Sequence, residues 1–129
     1  MVNSDGAWDP SSLEGGTGVV IRGGLGSVLG ISSSSSFGYS AIQVKTLVLL
    51  DGLRLANSLG LREVIMESDS QSAILAAGGR IKRNAWELFL ILNEIRNFGS
   101  RFSHILWNWV PRDANHAANY VVMLARRRI

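Results

Sequence analysis

The sequence predicts an α/β fold with a mixed five-stranded sheet and helices on both faces. The first third of the chain contains short β-branched or apolar runs separated by glycines. The rest alternates segments of helical period with two further apolar runs. The order of three strands, helix, strand, two helices, strand and helix is typical of a layered α/β domain. With 129 residues, 47% hydrophobic content and a mean hydropathy of +0.17, we expect a single domain over residues 1–129.

The N-terminal part predicts a three-stranded antiparallel meander. Residues 1–8 alternate in character, so a strand there aims Asp5 at one face. Residues 17–22 (TGVVIR) and 27–32 (SVLGIS) flank a glycine-rich turn, which indicates a hairpin. The serine tract at 32–36 is of low complexity and is expected to be a mobile connection.

A helix is predicted from Ser40 to Ser58, and Gly60 ends it. Apolar or small residues recur along it at spacings of three and four. Lys45 belongs to this buried stripe or borders it. Its ammonium must therefore either extend from the edge of the stripe into water or find a partner inside.

Residues 61–70 (LREVIMESDS) place acidic side chains where a strand turns into a helix. Val64, Ile65 and Met66 predict a buried strand, and Ser68 or Asp69 with the following serine supplies N-cap chemistry. Asp69 is thus held at the C-terminal edge of a strand, where open α/β sheets place ligand sites. Two interpretations are open: Asp69 takes part in chemistry, or it only caps the helix.

The remainder predicts two helices, a strand and a last helix. The glycine pair at 78–79 ends the short helix after Asp69, and residues 84–98 begin with a capping-box pattern. Residues 102–110 predict a strand with apolar side chains on both faces. Residues 113–128 predict a final helix, whose C-terminal arginines suit the helix dipole.

Composition limits the classes of function. The chain has no cysteine, which excludes a disulfide framework or a thiolate metal site and fits an intracellular protein, nuclear or cytoplasmic. The apolar run at 47–50 is too short to cross a bilayer, and residues 1–8 lack the regions of a signal peptide. We expect no membrane contact. The start so close to the first strand suggests a domain of a longer polypeptide, and the oligomeric state is open.

The chain has 13 lysines and arginines against 10 aspartates and glutamates, and its pI is about 10.0. This balance is compatible with a polyanionic partner. The expected nucleic-acid contacts are Arg80, Lys82, Arg83 and Arg112, with the arginines at 126–128. Binding through such residues would be weak and sensitive to salt. The alternative is that each cluster is only a solvated face.

Four phrases occur in the order and spacing of one known family. They are NSDGAW at 3–8, GGTGVVIRGGLGSVLG at 15–30, LLDGLRLANSLGLREVIMESDSQ at 49–71 and WVPRDANHAAN at 109–119. The chain resembles the type 1 ribonuclease H domain, in the version attached to plant non-LTR retroelement reverse transcriptases. The resemblance covers essentially the whole chain. It implies a ribonuclease H-like fold and Mg²⁺-dependent hydrolysis of the RNA strand of RNA/DNA hybrids.

In that family four acidic residues hold two Mg²⁺ ions, since hard Mg²⁺ prefers oxygen ligands and two divalent ions need a dense carboxylate cluster. The resemblance places the first acid at Asp5 and the third at Asp69. Lys45 stands at the position of the helix glutamate, and Asn119 at that of the last aspartate. Any metal held here would bind Asp5 and Asp69.

The two substitutions change the charge of the site. Two aspartates, one lysine and a neutral asparagine carry a net charge of −1, against about −4 for the family's four acids. A lysine among carboxylates repels a cation directly. We therefore expect the two-metal cluster not to form, and Lys45 to reach Asp5 or Asp69 as an ion pair where a metal would stand. Asp51 and Glu67 are not expected to replace the missing ligands.

Three functions stay open at this point. The first is an impaired ribonuclease H-like domain that still binds hybrid by shape and 2′-OH contacts. The second is an active enzyme with a single-metal or rearranged site, which stays open because two acids survive. The third function is a non-catalytic protein-interaction domain.

The histidines and tryptophans give weaker indications. His104 and His116 fall on a strand and a helix, so neither matches the family's catalytic loop histidine, and both are expected to be ordinary surface or edge residues. Trp86 and Trp107 lie in periodic segments and are expected in the core. Trp8 and Trp109 are candidates either for packing or for stacking on bases, and the sequence does not decide between the two.

Overall fold

A computed structural model of the chain describes residues 1–38, 40–79 and 86–111. Within these ranges the chain forms a mixed five-stranded sheet and three helices, which confirms the predicted α/β class and mixed sheet, whereas helices on both faces stay a prediction. The strands are β1 (Val2–Trp8), β2 (Glu14–Arg22), β3 (Val28–Phe37), β4 (Glu63–Ser68) and β5 (His104–Trp109). The helices are α1 (Ala41–Ser58), α2 (Gln71–Ala77) and α3 (Trp86–Gly99). The helix predicted over 113–128 lies outside the described residues.

The strand order is β3-β2-β1-β4-β5. The first three strands pair antiparallel, as the predicted meander requires, whereas β4 pairs parallel with β1 and β5 parallel with β4. The parallel pairs need crossover connections, and the helices supply them. None of the described helices is both long enough and apolar enough to span a bilayer.

The serine tract is a strand rather than a mobile connection. β3 runs through it, and Ser32 to Ser36 pair with β2 in a continuous antiparallel register that ends at Phe37 opposite Glu14. Serine has low intrinsic strand preference, but the partner strand supplies the backbone hydrogen bonds that override it. The prediction failed because a low-complexity tract says nothing about its pairing partner.

One face of the sheet carries the main core. Val19, Ile21, Met66 and Leu53 are at most 1% exposed, and they belong to one cluster in which residues of α1, α2 and α3 also take part. β4 alternates within this frame: Val64 and Met66 are buried, but Ile65 is 38% exposed. The prediction that all three were buried was therefore wrong for Ile65, which points to the opposite face.

α1 is fixed against β1 and β2 by its first turns. Ser40 caps the helix, because its Oγ accepts the N–H of Gln43 at 3.1 Å. Val44, in the next turn, lies so close to Gly6 of β1 that a Cβ there would be 3.0 Å from Val44 Cγ1. This close approach brings the residue after Val44, Lys45, near Asp5 in the middle of β1.

Candidate functional site

The two acids predicted at the site lie on neighbouring strands, where the parallel pairing of β1 and β4 ends. β1 and β4 pair through Val2 to Ser4 of β1 only, so Asp5 lies one residue beyond the last parallel pair. Asp69 follows the last residue of β4. Asp69 is therefore at the C-terminal end of β4, where α/β sheets gather ligand sites, and Asp5 lies in the middle of the neighbouring strand β1.

Asp69 does not cap α2. Ser70 is the N-cap, and its Oγ accepts the N–H of Ala73 at 3.2 Å. The interpretation of Asp69 as a helix cap was therefore wrong, and its carboxylate is directed to other partners. This outcome leaves Asp69 as a site residue.

Lys45 joins the two acids. Its Nζ lies 3.2 Å from Asp69 Oδ1, within hydrogen-bond distance, and 3.7 Å from Asp5 Oδ1. The Asp5 and Asp69 side chains are 4% and 6% exposed, whereas that of Lys45 is 22% exposed. The ammonium is thus a half-buried bridge between two buried carboxylates, as the sequence predicts, and not a group that extends freely into water.

Among these three side chains, Asp5 is the one whose charged form is least well stabilised. Its burial, followed by the nearby negative charge of Asp69, raises the pKa of Asp5 to about 6, although the charge of Lys45 acts in the opposite direction. Among the described residues Asp5 Oδ1 has no hydrogen-bond donor, since the ammonium at 3.7 Å makes an ion-pair contact only. The site therefore holds one carboxylate that is poorly satisfied in its charged form.

Trp109 lies directly beside the acids. Its indole Nε1 donates to the backbone carbonyl of Asp69 at 3.0 Å, and the residue is 49% exposed. Trp8 is the last residue of β1, and its Nε1 donates to the Gly38 carbonyl at 2.7 Å. Trp107 packs against the core, which confirms its predicted place. Nothing is described of the Trp86 side chain.

A row of polar side chains beside the site was not predicted. Asn3, Glu67 and Asn108 are register partners across β1, β4 and β5. Asn3 Nδ2 donates to Glu67 Oε1 at 2.5 Å and Asn108 Nδ2 to Glu67 Oε2 at 3.4 Å. Glu67 is 8% exposed, so the two amides stabilise a buried carboxylate. Sequence reasoning missed the row because strand register cannot be read from one strand alone.

The other predicted site residues have mixed outcomes. Asp51 faces away from the site, where its Oδ2 accepts from Thr17 Oγ1 at 3.3 Å. His104 is an exposed strand residue 3.5 Å from Glu63, which confirms that it is an ordinary surface histidine. The remaining predictions fall on residues outside the described ranges, namely Arg80, Lys82, Arg83, Arg112, His116, Asn119 and 126–128.

The donor set does not fit the two-magnesium cluster that the resemblance implies. Two carboxylate side chains converge, but the ammonium of Lys45 lies between them and repels a divalent cation. Across the described ranges, no group of three or more acidic or histidine side chains could hold a metal ion. The arrangement is an ion-paired cluster in which lysine supplies the positive charge.

Family comparison agrees with this architecture. The sequence profile of the reverse transcriptase-like family matches residues 3–125, so the chain belongs to that family. Its domain is ribonuclease H-like. No curated protein matches the sequence significantly.

Solved ribonuclease H domains share the fold over nearly the whole chain. The N-terminal ribonuclease H domain of a Mycobacterium tuberculosis protein, solved as a fusion with maltose-binding protein, has a TM-score of 0.91 at 25% identity. That match covers 98% of this chain and 92% of the other. Ribonuclease H1 of the archaeon Halobacterium salinarum has a TM-score of 0.91 at 20% identity, covering 99% and 97%. The compost-derived LC11 ribonuclease H1, solved with an RNA/DNA hybrid, has a TM-score of 0.88 at 22% identity, covering 98% and 96%.

Proposed function

We propose that this chain is a ribonuclease H-like nucleic-acid-binding domain whose hydrolytic site is impaired. One observation carries the proposal: Lys45 Nζ lies 3.2 Å from Asp69 Oδ1 and 3.7 Å from Asp5 Oδ1. An ammonium at this position neutralises part of the carboxylate charge that would attract Mg²⁺. The neutral Asn119 at the last acid position of the family removes a further ligand.

Binding of RNA/DNA hybrid can outlast hydrolysis because it depends on different residues. Hybrids are recognised mainly through backbone phosphates, shape and 2′-OH groups, whereas the metal cluster acts on the scissile phosphate. The net charge of +3 and the LC11 enzyme solved with RNA/DNA hybrid support this part of the proposal. Arg80, Lys82, Arg83 and Arg112 remain the proposed contacts from the sequence.

The domain is proposed to work within a longer polypeptide of retroelement origin. The family is described as reverse transcriptase-like. The chain also shares its fold with one part of the foamy virus protease-reverse transcriptase, of which it covers 20%, with a TM-score of 0.72. This likeness, at 13% identity, concerns the fold. Plant origin and an intracellular location rest on the sequence alone.

Calorimetric titration with Mg²⁺ and Mn²⁺ tests the impaired site. The chain is compared with the double variant Lys45→Glu, Asn119→Asp, and with Arg22→Glu, Asn97→Asp as a control that makes the same charge change on the surface. We expect two-ion binding only in the first variant. Two-ion binding by the unaltered chain, with cleavage of hybrid, would show instead an active enzyme with a rearranged site.

Titration with an RNA/DNA hybrid at two salt concentrations tests the binding. We expect binding at low salt that weakens as salt rises, because phosphate contacts release counterions. Absence of binding at low salt would contradict the proposal. That result would favour the alternative of a domain used for protein contacts alone.

A further inference from the structure

Four exposed arginines lie at the end of the fold opposite Lys45. Arg54 is in the last turns of α1, Arg62 precedes β4, Arg96 is in the last turn of α3 and Arg101 precedes β5. We call these four residues the arginine surface. β4 separates Arg62, before its start, from Asp69, after its end, and a six-residue strand spans about 20 Å.

Phe98 holds two of these arginines. The guanidinium carbon of Arg101 lies 4.6 Å from the centre of the Phe98 ring, and that of Arg54 lies 5.5 Å from it. Phe98 itself packs against the core cluster, so the ring is fixed. A guanidinium stacked on a ring keeps its N–H edge available for a ligand, and it loses less freedom when that ligand binds.

Hydrogen bonds tie Arg62 to the same place. Its carbonyl accepts the backbone N–H of Ser103 at 2.8 Å and the Ser103 hydroxyl at 3.1 Å. Arg101 is in a tight turn, with its N–H bonded to the Phe98 carbonyl at 3.1 Å. The connections before β4 and β5 therefore lie side by side and present Arg62 and Arg101 together.

Three acids lie near the four arginines, namely Asp51, Glu63 and Glu94, the last being one turn before Phe98 on α3. Asp51 Oδ1 lies 3.9 Å from Arg54 Nη1, and the pair is partly open to water. Glu63 is nearby in sequence, but it contacts His104 at 3.5 Å. Within the described ranges, no ion pair involves Arg62, Arg96 or Arg101. The surface therefore keeps an excess of positive charge.

We propose that the arginine surface binds the phosphate groups of a nucleic-acid backbone, as a contact separate from the Lys45 end of the domain. The planar guanidinium matches two phosphate oxygens at once, and the stacked pair on Phe98 presents two such groups in a fixed arrangement. The inference rests on the proposed function, since it takes a nucleic acid as the partner. The proposal assigns phosphate contacts to Arg54, Arg62, Arg96 and Arg101, none of which was predicted from the sequence to contact nucleic acid.

The test measures the affinity for a short RNA/DNA hybrid by fluorescence anisotropy over a series of salt concentrations. In the variant Arg54→Gln, Arg101→Gln, we expect the slope of log K against log salt to fall by about 1 for each arginine removed. The control is Arg22→Gln, which removes an exposed positive charge at the end of β2, two strands from β4. The control should change the slope by less than either arginine of the pair. Thermal unfolding checks that each variant is folded.

Each outcome has a distinct meaning. If the unaltered chain binds hybrid and the double variant keeps the full slope, the arginine surface is overturned while the proposed function stands. If polyglutamate competes as well as hybrid does, the surface recognises acidic peptides and the assignment to nucleic acid fails. If no hybrid binds, the proposed function fails. Titration with pyrophosphate, followed by NMR, then tests the surface alone. If the side-chain signals of Arg54 and Arg101 do not shift, the arginine surface is overturned as well.

Discussion

Gly6 of β1 and Val44 of α1 lie in direct contact, and the space between them holds no side chain beyond that of the valine. A Cβ at Gly6 would lie 3.0 Å from Val44 Cγ1 and 3.2 Å from the Val44 carbonyl oxygen. The next residues on the two elements are the site residues, Asp5 before Gly6 and Lys45 after Val44. The absence of a side chain at Gly6 therefore sets how closely the ammonium approaches β1.

Replacement of this glycine should destabilise the fold. We expect Gly6→Ala to lower the free energy of unfolding by about 1–3 kcal/mol, because backbone as well as side-chain atoms of Val44 must move. Urea denaturation measures the effect. The control is Gly24→Ala, since a Cβ at Gly24 would meet nothing within 4 Å. Equal stability of the two variants would contradict the close approach.

Removal of the Lys45 charge should destabilise the chain more than removal of a surface charge. We expect Lys45→Met to cost about 1–3 kcal/mol at neutral pH, less than for a fully buried pair because the lysine is 22% exposed. The two buried carboxylates would then face each other without a cation. Arg22→Met is the control, since Arg22 is exposed at the end of β2 and forms no ion pair with any described residue. Both are compared by urea denaturation, and a Lys45 effect no larger than the control's would argue against the bridge.

Asp5 should make stability depend on pH. Its pKa is raised from 3.8 to about 6 in the folded chain, so the folded state holds the proton more tightly than the unfolded state. The contribution of Asp5 is therefore complete below pH 3.8 and is lost as the pH rises through about 6. It amounts to about 1–3 kcal/mol.

The variant Asp5→Asn should remove this dependence. Between about pH 4 and pH 7 we expect the unaltered chain to lose more stability than the variant, as measured by urea denaturation at each pH. Part of the slope should remain in the variant, because burial also raises the pKa of Asp51. Parallel curves for the two proteins would exclude Asp5 as the source.

The buried carboxylate of Glu67 should resist a neutral replacement. Its two oxygens accept from the amides of Asn3 and Asn108. In Glu67→Gln one amide would meet another, so we expect a loss of about 1–2 kcal/mol in unfolding free energy. Glu63→Gln, on the exposed start of β4, is the matched control and should be nearly neutral. A neutral result at Glu67 would mean that the row of amides contributes little.

Much of the fold could be predicted because local patterns determined it. The helical period over Ala41–Ser58 and the two hairpin runs around Gly24 gave the correct elements. The serine tract was misassigned because its strand depends on pairing with β2, which the residue types within the tract do not reveal. The exposed side of Ile65 was missed for a similar reason: three apolar residues in a row do not reveal which one lies on the buried face.

The part of the site that could be predicted consists of side chains whose charge alone suggests their role. Asp5, Asp69 and Lys45 could be placed together from the order of elements and the family resemblance, and the charges then required an ion pair. The N-cap could not be assigned among Ser68, Asp69 and Ser70, since both serine and aspartate cap helices. The row from Asn3 to Asn108 depends on register across three strands, which only the folded chain defines.

The bridge from Lys45 to two acids also bears on how such a domain could change over time. A single reversion of Lys45 to glutamate would leave three carboxylates together with no cation to balance them, unless a metal bound at once. A single reversion of Asn119 would add a carboxylate while the lysine still excluded the metal. If the site is impaired as proposed, neither single change removes both obstacles, the ammonium and the neutral residue, and the change at Lys45 would also lower stability in the absence of a metal. Under the proposed function, the ion pair would make a loss of the metal site difficult to reverse by selection.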